Sequence, residues 1–211
     1  MFKNLFNPEN ALMTTMTQVT DCIFLSLFWF VCSFPLVTIG ASSAALYDAV
    51  YYGFRRKDKH PWGRFFSSFR NNLKSGFLPG IVYLVIFSLG AWGLIQVWNA
   101  AVWEQVTFAA FSAAALVVML LLGILSILFP MLSRFNNSLA ALLRNTLLLG
   151  LVHGPRTLAL GIVNGLSILL CCRYIFPLFF LPALAALIST LFLEPMFKPY
   201  MREDEATDIV G

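Results

Sequence analysis

The sequence predicts an all-α polytopic membrane bundle: about five transmembrane helices, two amphipathic surface helices and a kinked first span, in a single membrane domain over 1–211. Three observations lead there. Hydrophobic residues make up 59% of the chain and charged residues 11%, less than half the charged share usual in soluble domains. Apolar stretches long enough for a hydrocarbon core of about 30 Å recur along its length. Lys and Arg are gathered in particular loops, as the positive-inside rule requires of cytoplasmic connections.

Residues 1–21 read as a polar leader in which Leu12, Met16, Val19 and Ile23 share one side, the spacing of an interfacial helix. They lack the pattern of a secretory signal, so the first span is expected to be retained. That span runs from Cys22 to about Tyr47. Within it Pro35 lacks an amide proton and its ring clashes with the carbonyl four residues back. Thr38, Gly40 and the small run Ala41 to Ala45 follow, which lets another backbone come close. Pro35, Thr38 and Gly40 are therefore candidate hinge and packing residues. Tyr47, Tyr51 and Tyr52 mark an interface, where aromatic rings with polar tips settle.

Between Arg55 and Gly76 lie seven basic residues and one acid, Asp58, which assigns this loop to the cytoplasm. Behind Pro61, the residues Trp62, Phe65, Phe66 and Phe69 recur at helical spacing, with Arg64, Arg70 and Lys74 on other sides. This is an amphipathic helix on or under the membrane. Packing on its own bundle accounts for it, as does a surface for lipid or a partner. Span two covers 77–98, with Pro79 in its first turn, and span three covers 107–132, with Pro130 as a second candidate joint. The 134–156 loop is basic and carries another surface helix. Span four is placed at 157–172, or from near Leu151, and span five at 175–193.

With the amino terminus outside and the carboxyl terminus inside, twelve of the fourteen Lys and Arg residues fall on the cytoplasmic side. RNNLKSG (70–76) is echoed by RNTLLLG (144–150), and Phe34-Pro35 by Phe129-Pro130, so a parallel internal repeat is one reading and chance similarity the other. Ser42 and Asn164 are the candidate intramembrane polar residues, open to a ligand path or to helix–helix hydrogen bonds. Asp48, Arg134 and Glu194 lie near span ends, where water or headgroups would solvate them. The four cysteines show no CxxC pattern, and the two histidines have no partner spacing, so no metal is expected. Phosphate-binding glycine motifs, nucleophile motifs and paired acids are also missing, so no catalytic residues and no cofactor are expected. Basic clusters in so apolar a chain point to membrane lipid rather than nucleic acid.

The stretch LFWFVCSFPLVTIGASSAALY, followed by the basic linker and RFFSSFRNNLKSGF, resembles the YesL-like family of bacterial membrane proteins, a domain family of unknown function. The most specific pieces are Trp29, Pro35, Thr38, Gly40, Ala45, Leu46 and Tyr47, then Phe65, Phe66, Phe69, Asn72 and Lys74. Ser26 stands where the family often carries an asparagine. The resemblance implies a multi-span helical protein of Gram-positive bacteria, commonly encoded beside carbohydrate ABC transporters and two-component regulators. That in turn implies an accessory or regulatory role in sugar uptake, with an ABC transporter permease or a sensor kinase as partner. The rival from another class is a small permease or channel between the repeated halves, lined by Thr38, Ser42, Asn164 and the two Phe-Pro joints.

Overall fold

A computed structural model describes residues 11–56, 58, 60–102, 108–135 and 138–200. The described residues form seven α-helices and no strand: α1 Ala11–Ser33, α2 Ile39–Val50, α3 Pro61–Val102, α4 Phe108–Arg134, α5 Leu139–Val152, α6 Gly154–Arg173 and α7 Leu181–Phe197. Five stretches within them are long and apolar enough to cross a membrane: Thr15–Ser33, Pro61–Ala100, Ala109–Arg134, Gly154–Arg173 and Leu181–Tyr200. This is the all-α polytopic bundle that composition predicts.

The break expected at Pro35 is present, and it is a reversal rather than a bend. Proline disfavours helical backbone at Phe34 and removes a donor from the next turn, so α1 stops at Ser33. A 3-10 turn, Leu36–Thr38, leads into α2. The Thr38 hydroxyl donates to the carbonyl of Cys32, at the broken end of α1, and to that of Pro35, which also accepts from the Thr38 amide at 2.8 Å. Beyond the turn α2 runs back along α1. Ser33 and Ser42 hydroxyls lie 2.6 Å apart, Trp29 Nε1 donates to Ser43 Oγ at 3.1 Å, and Leu25 is buried with Ala45, Leu46, Ala49 and Val50.

Both open ends of this hairpin meet the first turns of α3. The Phe24 ring lies 4.8 Å from that of Trp62, and Asp48 pairs with Arg64. The single crossing expected between Cys22 and Tyr47 is thus an in-and-back pair. Its paired part is about 18 Å long at 1.5 Å per residue, well short of a hydrocarbon core.

Close backbone approach holds the hairpin to α3. A Cβ on Gly40 would overlap the carbonyl oxygen of Gly76, and one on Gly76 would sit 2.8 Å from the Ala41 nitrogen. The helix expected at 61–76 and the span expected at 77–98 are one continuous helix, with Pro79 in its interior. Its 42 residues reach about 63 Å if straight, and the basic segment continues into the span without a loop between them. Phe65 on this segment is fully buried against α1 and α2, whereas Trp62 and Phe66 are exposed.

α4 returns along α3, pairing Phe111 with Trp98 and Phe129 with Tyr83. Pro130, an expected joint, lies inside α4, which continues to Arg134. α5 is capped by Ser138, whose hydroxyl accepts from the Ala141 amide. It breaks at His153, and α6 begins at Gly154 with Pro155 in its first turn, between the two expected starts, with Leu151 still in α5. Gly123 and Gly161 let α4 and α6 touch backbone to backbone at Thr157 and Met119. After a 3-10 turn at Phe176–Phe179, α7 closes the bundle. The Ser26 hydroxyl, fully buried, accepts from the Ala183 amide and so ties α7 to α1.

The proposed repeat has unlike surroundings in its two copies. Gly76 meets the backbone of Gly40 and Ala41, but Gly150 meets the side chains of Ile124 and Ile127. Pro35 ends a helix whereas Pro130 is carried within one.

Candidate functional site

Where α2, α3, α4 and α7 converge, the bundle holds a charged network that hydropathy does not announce. α2 runs into a π-helical turn, Tyr51–Arg55, and such turns recur at functional sites. The turn presents two consecutive tyrosine rings to the end of α4. Arg134 lies with its guanidinium carbon 3.9 Å from the centre of the Tyr51 ring and donates through Nη1 to the Tyr52 hydroxyl at 3.3 Å. Its Nη2 donates to Glu194 Oε1 at 2.9 Å, and the Tyr47 hydroxyl donates to the same oxygen at 2.7 Å.

Helix ends explain why these partners need one another. Arg134 sits in the last turn of α4, where the carbonyl end of the helix favours a cation. Glu194 sits in the last turn of α7, where the same end disfavours an anion. Both side chains are nearly buried, with 12% and 9% exposure. Ion pairing and the Tyr47 hydroxyl therefore offset the loss of water. The offset is incomplete, since Arg134 Nε and Glu194 Oε2 are buried without a partner among the described residues.

A second ion pair extends the network. Arg64 Nε donates to Asp48 Oδ2 at 3.1 Å, while its guanidinium carbon lies 3.3 Å from the centre of the Tyr52 ring. Burial raises the Asp48 carboxyl above its usual carboxylate range, and the Arg64 charge draws it part of the way back. Arg64 and Arg134 thus meet at one tyrosine, which receives a cation on its face and a hydrogen bond at its oxygen.

Beside the network lies a cleft of about 780 Å³. Asp48 and Tyr52 line one wall, and Asp58 and His60 close an end. One side of α3 gives Arg64, Ser67, Ser68, Asn71, Asn72 and Ser75, and the end of α4 gives Ser133, Arg134 and Phe135. Hydroxyls, carboxamides and opposite charges dominate, so the cleft suits polar groups. Among the described residues no three His, Cys, Asp or Glu side chains gather as a metal site would require.

Of the residues the sequence singles out, Arg64 belongs to this site and Phe65 to the core under it. Arg70 and Lys74 are exposed, and Phe69 is half-buried against the hairpin. Ser42 is buried, within hydrogen-bond reach of Ser33, and donates to the Ile39 carbonyl at 3.2 Å. Asn164 donates to the Leu160 carbonyl at 2.9 Å and reaches Ser189 at 3.5 Å. Thr38, Ser42 and Asn164 do not share a cavity: each is bonded where it stands, and Ile127, Leu128, Leu160 and Leu193 fill the interior near Asn164.

Sequence reasoning missed the network itself. Asp48, Arg134 and Glu194 are not left to water at span ends but are held by one another's partners. The available signal was the placing of an unbalanced Arg and Glu on the last turns of two apolar helices, where each needs a partner.

No curated protein and no solved structure matches the chain. A family model described as a protein of unknown function, DUF624, matches residues 22–94, which take in the hairpin, the basic loop and α3 through Leu94. The match therefore includes Tyr47, Asp48, Tyr52 and Arg64, and stops before Arg134 and Glu194.

Proposed function

We propose that the chain is a non-enzymatic membrane accessory or regulatory protein of the YesL-like kind, serving carbohydrate uptake through an ABC transporter or a sensor system. Its partner binds at the charged end. The observation that carries this reading is the contrast between that end and the rest: polar side chains line a cleft there, and an exposed stripe runs beside it. Trp62 and Phe66, 40% and 48% exposed, are followed at four-residue spacing along α3 by exposed Arg70 and Lys74. Since α3 has 42 residues, about twice what a crossing needs, we place this stripe beyond the hydrocarbon core, where an apolar-basic surface suits a protein partner better than acyl chains. The dispersal of Thr38, Ser42 and Asn164 weighs against a permeation path.

In this reading the charged end is cytoplasmic. The hairpin returns the start of α1 to the basic-loop side, so Lys3 joins the other cytoplasmic bases and Arg173 alone is left outside. A cysteine introduced at Asn10 should then react with an impermeant maleimide only after the cells are opened. Labelling in intact cells would reject this orientation.

Affinity purification from nanodiscs tests the function. A carbohydrate-transporter permease or a sensor kinase should co-purify with the wild type, and R70E/K74E should lose it. Arg64 is excluded from the charge reversal because its ion pair with Asp48 is structural. Equal recovery with the reversed charges would remove the stripe as the docking surface.

A further inference from the structure

Behind Arg64, the uncharged side chains of Ser67, Ser68, Asn71, Asn72 and Ser75 recur at helical spacing, so one face of α3 lines the cleft of about 780 Å³ with hydrogen-bonding groups. We propose that this cleft binds a small neutral polyhydroxylated molecule, a mono- or disaccharide, which α3 grips by its hydroxyls. The inference deepens the function proposed above and rests on it for the side of the membrane to which the cleft opens.

The first observation is the chemistry of the wall. A serine hydroxyl and an asparagine carboxamide can each donate and accept, as can every hydroxyl of a sugar. Asn72 is set in place by its own helix, with Nδ2 donating to the Ser68 carbonyl at 2.9 Å and to the Ser68 hydroxyl at 3.3 Å. Ser67 and Asn71 are exposed, and their side chains make no hydrogen bond among the described residues. The wall thus combines positioned groups with groups whose bonding capacity is unspent.

The second observation is charge. Arg64 pairs with Asp48 and Arg134 with Glu194, so both guanidinium groups of the described lining are already matched. Asp58 is the remaining carboxylate of that lining, and it accepts from the His60 amide at 3.1 Å. An anion would face Asp58 and would have to draw Arg64 away from Asp48. A cation would find one carboxylate at one end and neutral groups along the wall. Hydroxyls disturb neither arrangement. Arg64 is bonded to Asp48 through Nε, which leaves the amino groups of a 36% exposed side chain to donate to them, and Asp58 can accept from them.

The third observation is shape. A sugar has C–H faces as well as a hydroxyl rim, and the end of α4 adds Leu132 and Phe135 to the lining as apolar surface for such a face. The volume falls in the range of small-molecule sites.

The test is saturation-transfer NMR on the full chain in nanodiscs. The neutral probes are glucose, galactose, xylose, maltose and sucrose, the charged probes are gluconate and glucosamine, and empty nanodiscs are the blank. At least one neutral sugar should bind, and S67A/N71A should weaken it about tenfold, the loss expected when two side chains stop hydrogen bonding. N71D, which keeps the shape of the amide and removes its donor, should weaken it as well. Melting without sugar should be unchanged in both variants, because both positions are exposed and unbonded. No binding of any neutral sugar, binding indifferent to both variants, or tighter binding of gluconate or glucosamine than of glucose would each overturn the proposal. A transporter or kinase that co-purifies with a chain binding no sugar would remove this inference alone. Sugar binding by a chain that co-purifies neither would support it and remove the functional reading instead.

Discussion

R134M should lower the stability of the protein by about 3–5 kcal/mol, the range seen when one partner of a buried ion pair is removed. Methionine keeps most of the volume and withdraws the charge. Glu194 would then remain in the last turn of α7 with the Tyr47 hydroxyl on one oxygen and nothing on the other. E194L should cost less, because Arg134 keeps the Tyr52 hydroxyl and the face of Tyr51. The double variant R134M/E194L is the informative one. The native pair leaves two buried polar atoms unmatched, so an apolar pair of similar size should recover most of the loss. Thermal unfolding in mild detergent reads all three. A double variant no more stable than R134M would show that the α4–α7 junction depends on something other than this charge pair.

The same residues show how far the sequence could be read. Bundle class, a helix within 134–156 and a start of the next helix near Pro155 follow from hydropathy, helical spacing and the placement of proline. These are local facts, written within a few residues. The reversal at Pro35 is not local. A proline between apolar turns reads equally as a kink or a hairpin, and the pairing of Ser33 with Ser42 and of Trp29 with Ser43 decides between them. The network is less local still, because Tyr47 and Glu194 are 147 positions apart. Hydropathy marks Arg134 and Glu194 as helix-end charges but says nothing of which helix ends meet. Arg64 read as a surface charge because its helical spacing places it off the Phe65 face. It is drawn inward by Asp48, whose position depended on the unseen reversal.

Gly40 should be the least tolerant small residue in the hairpin. Most overpacking substitutions cost about 1–3 kcal/mol because neighbouring side chains can turn aside. At Gly40 the neighbour is the Gly76 carbonyl, with Gly80 Cα 3.1 Å from the added Cβ, so backbone must move. Helix α2 would have to lift from α3, and that same motion would pull Asp48 from Arg64 and Tyr52 from both arginines. G40A is therefore expected at or above the upper end of that range, and G40L should fail to hold the hairpin in place. Gly93 supplies the control, since a Cβ there meets nothing within 4 Å. In a helix interior alanine is favoured over glycine by about 1 kcal/mol, so G93A should be neutral or stabilising. Melting temperatures of G40A and G93A that coincide would mean the α2–α3 crossing is looser than its glycines imply. A large loss at Gly40 alone would locate the coupling: backbone contact near the hairpin tip would set the geometry of the charged cleft at the other end of α2.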